Sequence, residues 1–113
     1  MPDGYTRLRQ GEKRPILGQI SAGIGTVTVL TTPTPTSALF DSLGVGVPGF
    51  SGLTVAGFDP GALTNPRLWT NLDTTGLAAG FYTLVFTVTT NASDGTTRRF
   101  TPTVEIELLA VGK

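Results

Sequence analysis

Two stretches of alternating side chains near the C-terminus constrain the fold more than any other feature of this chain. Every second residue is large and apolar between Phe81 and Thr90, and the same pattern returns between Arg99 and Leu108. The five residues 91–95 lie between them and end in Asp-Gly, a pair typical of hairpin turns. A period of two indicates strands with one buried face, so the sequence predicts a long antiparallel hairpin. The residues predicted to face inward are Tyr82, Leu84, Phe86, Val88, Phe100, Pro102, Val104, Ile106 and Leu108.

Shorter runs of the same kind indicate further strands, at 15–20, 24–31, 38–40, 51–58 and 67–72. No segment shows a convincing helical period. Twenty threonines suit half-exposed strands, whereas fifteen glycines and eight prolines supply turns. Two antiparallel sheets stacked face to face would bury both apolar stripes of the hairpin. We therefore expect an all-β protein, an Ig-like antiparallel β-sandwich of about seven strands.

Two aromatic residues fit this expectation. Gly80-Phe81-Tyr82 is similar to the tyrosine corner of Ig-like sandwiches, in which a tyrosine hydroxyl bonds back to the preceding turn. Trp69 lies one strand earlier, and we expect it to fill the core.

The length of 113 residues fits one domain. We expect a polar N-terminal arm at residues 1–13, followed by a single sandwich domain at residues 14–113. Pro15 cannot donate to a ladder on both sides and marks an edge strand. The opening residues 1–4 have no apolar h-region, so we expect no Sec-type signal peptide. No stretch approaches the ~20 apolar residues of a membrane span.

The residue types that are missing exclude most catalytic mechanisms. Histidine and cysteine are absent, which removes Ser-His-Asp and Cys-His nucleophiles, zinc ligation and disulfides. Among the carboxylates, Asp59, Asp73 and Asp94 lie in turn contexts, whereas Glu105 and Glu107 lie at outward strand positions. We therefore expect no enzyme, no catalytic residue and no cofactor. No metal site is assigned because no calcium-loop motif is present, but a calcium site built from loop carboxylates stays open.

Binding must then come from a loop, an edge strand or the arm. An edge strand has unpaired N–H and C=O groups, and an arm can add a strand to a neighbouring molecule. The segment 44–50 is too rich in glycine for a regular element and lacks the spacing of a phosphate loop, so we expect it to face a partner. Deleting residues 1–13 should leave the sandwich folded but abolish docking. The predicted partner-binding residues are Tyr5, Arg7, Arg9, Val45, Val47 and Phe50.

Residues 72–89, Asp94-Gly95 and Phe100-Thr101-Pro102 resemble a pattern that recurs in tailed phages. In that pattern a G-x-Y opens a strand, an Asp-Gly turn follows, and an F-P-like step leads into the last strand. The family is the Ig-like domain at the start of baseplate upper proteins and related tail or neck components. The resemblance covers residues 67–109, extends weakly over 5–32, and leaves 33–66 unmatched.

This resemblance implies a non-enzymatic structural protein of a tailed-phage virion, serving as capsid decoration, neck or tail component. Its expected partners are other virion proteins, in a homo-oligomer or symmetric array, and its expected location is the virion, assembled in the host cytoplasm. Neither nucleic acid nor a membrane is an expected partner, since eight basic residues balance eight acidic ones. The alternative is a secreted or cell-surface Ig-like module for adhesion or carbohydrate binding. Exposed aromatic side chains in a row would favour that alternative.

Overall fold

The computed structural model describes residues 4–21 and 25–110, and all regular structure in these ranges is β-strand. Within them no helix is long and apolar enough to cross a bilayer. The strands are β1 (Gly4–Arg9), β2 (Lys13–Gln19), β3 (Val27–Val29), β4 (Thr36–Asp41), β5 (Leu53–Thr54), β6 (Gly57–Phe58), β7 (Ala62–Leu63), β8 (Arg67–Asp73), β9 (Gly80–Ala92), β10 (Thr97–Phe100) and β11 (Thr103–Leu109).

The large sheet is built around β9, whose thirteen residues pair along both edges. On one edge β9 pairs antiparallel with β11 and, further along, with β10. On the other edge it pairs antiparallel with β4 and then β3. The strand β1 extends the sheet beyond β11, and the short strands β5 and β7 pair with β4 and β3. The predicted hairpin is confirmed, with its turn between β9 and β10.

The small sheet has the strand order β2–β8–β6 and packs against the inner face of the large sheet. The strand β2 lies at its edge, as Pro15 predicts. Gly18 of β2 faces Phe86 of β9, and a Cβ atom at residue 18 would lie 2.6 Å from Phe86 Cδ2. The missing side chain therefore lets the Phe86 ring pack directly against the β2 backbone. The prediction of an all-β sandwich is confirmed.

The inward face of the hairpin is also as predicted. Its inward residues are buried, apart from Phe100, which is partly buried. The Tyr82 hydroxyl donates to the carbonyl oxygen of Ala78 at 2.7 Å, which confirms the tyrosine corner. The core cluster consists of Leu8, Ile16, Ile20, Val27, Val29, Leu39, Val55, Leu68, Leu72, Tyr82, Leu84, Phe86, Val88, Val104, Ile106 and Leu108.

One buried polar contact joins the two sheets. The hydroxyl groups of Ser37 on β4 and Thr70 on β8 share a hydrogen bond of 2.8 Å. Both side chains are almost fully buried, so each hydroxyl satisfies the other where water cannot reach.

The number and direction of the strands differ from the expectation of about seven antiparallel strands. The described residues contain eleven strands, three of which have only two residues and lie in the glycine- and proline-rich middle third. The β1–β11 pair is parallel. Of the strand expected at 24–31, Val27–Val29 forms β3, and Ile24 lies outside the described residues. The strand expected at 51–58 divides into β5 and β6, because the chain crosses between the sheets there.

Trp69 is not a core residue, so this prediction was wrong. On β8 the inward positions belong to Leu68, Thr70 and Leu72, which are buried. Since neighbouring strand residues point to opposite faces, Trp69 faces outward and is only partly buried.

The described part of the expected arm belongs to the sandwich. Residues 4–9 form β1 in register with β11, and Leu8 is 1% exposed within the core. Thr74 connects the following turn to the domain, since its hydroxyl donates to the carbonyl oxygens of Arg9 and Glu12 at 3.2 and 2.7 Å. Deleting residues 1–13, which was expected to leave the sandwich folded, would remove β1 and the buried Leu8 side chain from its core.

Candidate docking surface

The outward side of the large sheet brings β1, β11, β9 and β4 into one surface. Because β1 is parallel to β11 and β11 is antiparallel to β9, residues far apart in the chain stand in rows across the strands. One row contains Arg7, Glu107 and Phe81. The neighbouring row contains Tyr5, Glu105, Thr83 and Phe40. These two rows, together with the turn at residues 41–45, are called the docking surface below.

A carboxylate fixes β1 on this surface. The Tyr5 hydroxyl donates a hydrogen bond to Glu107 Oε1, and Arg7 Nε donates to the same oxygen at 3.1 Å. The Tyr5 hydroxyl, followed by the Arg7 guanidinium, holds the pKa of Glu107 below its ordinary value of 4.5. The contact ties the half-exposed Tyr5 side chain to β11.

Phe81 is a large exposed apolar side chain of this surface, near the start of β9. It is 52% exposed and neighbours Glu107 across the strands. Beside it the sheet forms an open groove of about 500 Å³. The groove is lined by Phe40, Asp41, Ser42, Gly44, Phe81, Thr83, Val85 and Glu105.

The turn after β4 forms one wall of the groove and is held by Asp41. Its carboxylate accepts hydrogen bonds from the backbone nitrogens of Leu43 at 2.9 Å and Val45 at 3.0 Å. Gly44 has a φ of +80°, a conformation that favours glycine. The turn is therefore locally rigid, and it presents Leu43 and Val45, which are 85% and 59% exposed.

The structure places the six predicted partner-binding residues in different surroundings. Arg7 lies in the row that contains Phe81, Tyr5 lies in the neighbouring row, and Val45 lies on the turn. Arg9 is exposed at the end of β1, where its backbone nitrogen donates to the Glu12 carboxylate at 2.9 Å.

Val47 and Phe50 are partly buried and pack against the core. The Val47 nitrogen donates to the Leu39 carbonyl oxygen, and the Leu39 nitrogen donates to the Phe50 carbonyl oxygen, each at 2.9 Å. These bonds fold the segment back onto β4, so the side chains of Val47 and Phe50 are turned toward the core while the residues between them stay exposed.

Sequence reasoning missed two members of this surface, Phe81 and Leu43. Phe81 was assigned to an outward position, and a large ring at such a position is itself a signal of binding. Leu43 stands between Ser42 and Gly44 in a turn, where an apolar residue has no core to enter.

The acidic residues do not gather into a metal-binding group in the described part of the chain. Glu105 Oε2 accepts a hydrogen bond from Thr83 at 3.4 Å, whereas Glu107 is engaged by β1. Within residues 4–21 and 25–110 no three histidine, cysteine, aspartate or glutamate side chains are grouped to hold a metal ion.

Comparison with known proteins gives little further information. No protein-family model matches the chain, and no curated protein matches it. Among solved structures, the crystal structure of CopC from Methylosinus trichosporium OB3b is similar to 93% of this chain and 85% of the CopC chain. The sequence identity is 20% and the TM-score 0.44, a likeness too remote to carry an inference about function.

Proposed function

We propose that this protein is a non-enzymatic structural component of a tailed-phage virion that acts by docking other virion proteins through the docking surface. The virion assignment is supported by the resemblance of residues 67–109 to the Ig-like domain of baseplate upper proteins. The partners are other virion proteins or further copies of the chain in a symmetric array.

The observation that carries the docking role is the distribution of exposed apolar side chains. Among the described residues, six large apolar side chains are exposed, and four of them belong to the docking surface. These four are Tyr5, Leu43, Val45 and Phe81. Exposed apolar groups that gather at one place mark an interaction site, whereas scattered ones need no explanation.

The chemistry of this surface suits a protein partner. Tyrosine and arginine are enriched among interface anchors, and the Glu107 contact holds Tyr5 and Arg7 in place before binding. Fixed side chains lose less conformational entropy on association than mobile ones. In a symmetric particle many modest contacts of this kind would add through avidity.

Mass spectrometry of purified particles from the phage that encodes this chain tests the proposal. We expect the polypeptide in intact virions or in a neck or tail fraction. Its absence from every particle fraction would overturn the virion assignment.

Substitutions then test the surface itself. Phe81→Ser and Val45→Ser should each lower incorporation into particles by about tenfold or more. Leu63→Ser is the matched control, because Leu63 is an exposed apolar strand residue on β7, away from the docking surface. Incorporation of Phe81→Ser and Val45→Ser at the level of Leu63→Ser would show that docking uses another part of the molecule.

A further inference from the structure

A tryptophan side chain packs on the outer face of the small sheet. Trp69 is the only tryptophan of the chain, and it projects outward from β8. Its indole covers Gly57 of β6, where a Cβ atom would lie only 2.6 Å from Trp69 Cζ2. On the other side its register partner on β2 is the exposed Leu17. A continuous apolar strip therefore crosses all three strands.

Hydrogen-bonding groups flank this strip on both sides. Arg67 and Asn71 share the outward face of β8 with Trp69, each about 7 Å away by strand rise. Arg67 Nε donates to Asp59 at 2.9 Å, but its terminal nitrogens have no partner among residues 4–21 and 25–110. The same holds for the side-chain amide of Asn71. Two sets of available N–H donors thus stand on either side of an aromatic ring.

The charges of this face are balanced. Arg67 is paired with Asp59, and Lys13 is paired with Asp73 at 3.8 Å. Asp59 is held ionised, since the Arg67 side chain lowers its pKa. A face without net charge gives no preference for phosphate, sulfate or carboxylate groups and suits a neutral ligand.

The face is also small. Three strands of at most seven residues measure about 14 Å by 23 Å, or roughly 300 Å². A stable protein interface needs about 800 Å² on each partner. This area is too small for a protein partner but large enough for one sugar ring.

We propose that the outer face of the small sheet is a platform for one neutral pyranose unit of a polysaccharide. The apolar face of the sugar ring lies on the indole of Trp69, and its hydroxyl groups accept hydrogen bonds from Asn71 and Arg67. A shallow site of this size binds weakly, with a Kd of about 1 mM. The site lies on the opposite side of the molecule from the docking surface and does not depend on the virion assignment.

The single tryptophan makes the test direct, because all indole fluorescence comes from Trp69. The full chain is titrated with neutral tetrasaccharides of glucose, N-acetylglucosamine, mannose and galactose, and with an acidic galacturonate oligomer. We expect a saturable change in emission with at least one neutral sugar. Asn71→Ala should weaken that binding about 5-fold without affecting folding, since this exposed amide makes no hydrogen bond within the described residues.

Trp69→Ala has no tryptophan fluorescence, so its binding is tested by electrophoresis through a gel that contains the polysaccharide of the neutral sugar that binds. This variant should lose its retardation, whereas the control Leu63→Ala on β7 should migrate like the original chain. The proposal is overturned if no neutral sugar gives a saturable signal, if the acidic oligomer binds most tightly, or if Asn71→Ala binds as well as the original chain. Loss of self-association in Trp69→Ala, without any binding of sugar, would identify the face as a protein contact instead.

Discussion

Replacing Gly18 with alanine should destabilise the sandwich, and the loss should disappear when the Phe86 ring is removed. A Cβ atom at residue 18 would lie 2.6 Å from Cδ2 and 2.7 Å from Cε2 of Phe86. The ring has no exposed surface and therefore no free space into which it can move. Either the sheets separate or the ring leaves its preferred rotamer, and overpacking of this kind costs about 1–3 kcal/mol.

The same contact predicts how far removal of the Phe86 ring reduces the cost of Gly18→Ala. Phe86→Ala alone should cost about 3–5 kcal/mol, because it leaves a cavity between the sheets. In the double variant the added methyl group enters that cavity instead of an occupied site. The cost of Gly18→Ala should then fall to nearly zero, which corresponds to a coupling free energy of about 1–3 kcal/mol between the two positions.

Urea unfolding of the four proteins, followed by circular dichroism, measures this coupling. Thr87→Ala is the control, because Thr87 is the next residue on β9 and faces outward, so it should cost well under 1 kcal/mol. Additivity of the two changes within about 0.5 kcal/mol would refute the direct contact between Gly18 and Phe86. Equal losses at Phe86 and Thr87 would show that the inward face of β9 is assigned to the wrong side.

Three further substitutions test other contacts. Thr70→Val removes one partner of the hydrogen bond between the sheets and leaves the Ser37 hydroxyl unsatisfied. The free energy of unfolding in urea should fall by about 1–3 kcal/mol, and a loss below about 0.5 kcal/mol would contradict that contact. Leu8→Ala should cost about 2–5 kcal/mol, and unchanged stability would mean that β1 does not contribute to the core. A tyrosine hydroxyl and an arginine guanidinium on β1 lower the pKa of Glu107 from 4.5. The ionised carboxylate therefore stabilises the fold above about pH 4.5, and this contribution is lost as the pH falls through the lower pKa of the folded state. Glu107→Gln should therefore lose less stability than the original chain between about pH 7 and about pH 3, and identical losses would refute this role.

The alternation of apolar and polar side chains was enough to predict the long hairpin and its buried face. Neighbouring strand residues point to opposite sides, and on β9 and β11 only one of the two sides is consistently apolar. The tyrosine corner was predictable for a similar reason, since the Tyr82 hydroxyl reaches Ala78, only four residues earlier. Contacts that depend only on the spacing of nearby residues can be predicted from the sequence.

Trp69 shows where the local pattern was insufficient. Its size and hydrophobicity favoured the core, but the structure gives the inward position to Thr70. That position suits Thr70 because Ser37 on β4 supplies its hydrogen bond, and Trp69 is accommodated outside because Gly57 on β6 leaves room for the indole. Both conditions come from strands that are distant in the chain.

The candidate docking surface depends on tertiary structure in the same way. Residue type and position in the chain were enough to select Tyr5, Arg7 and Val45 as candidates for binding, together with Arg9, Val47 and Phe50, which lie outside this surface. Phe81 joins them only because Glu107 stands between Arg7 and Phe81 in one row, and Arg7 and Glu107 are 100 residues apart. The register of such distant strands is fixed by core packing and by pairing along the sheet edge, and neither leaves a local pattern in the sequence.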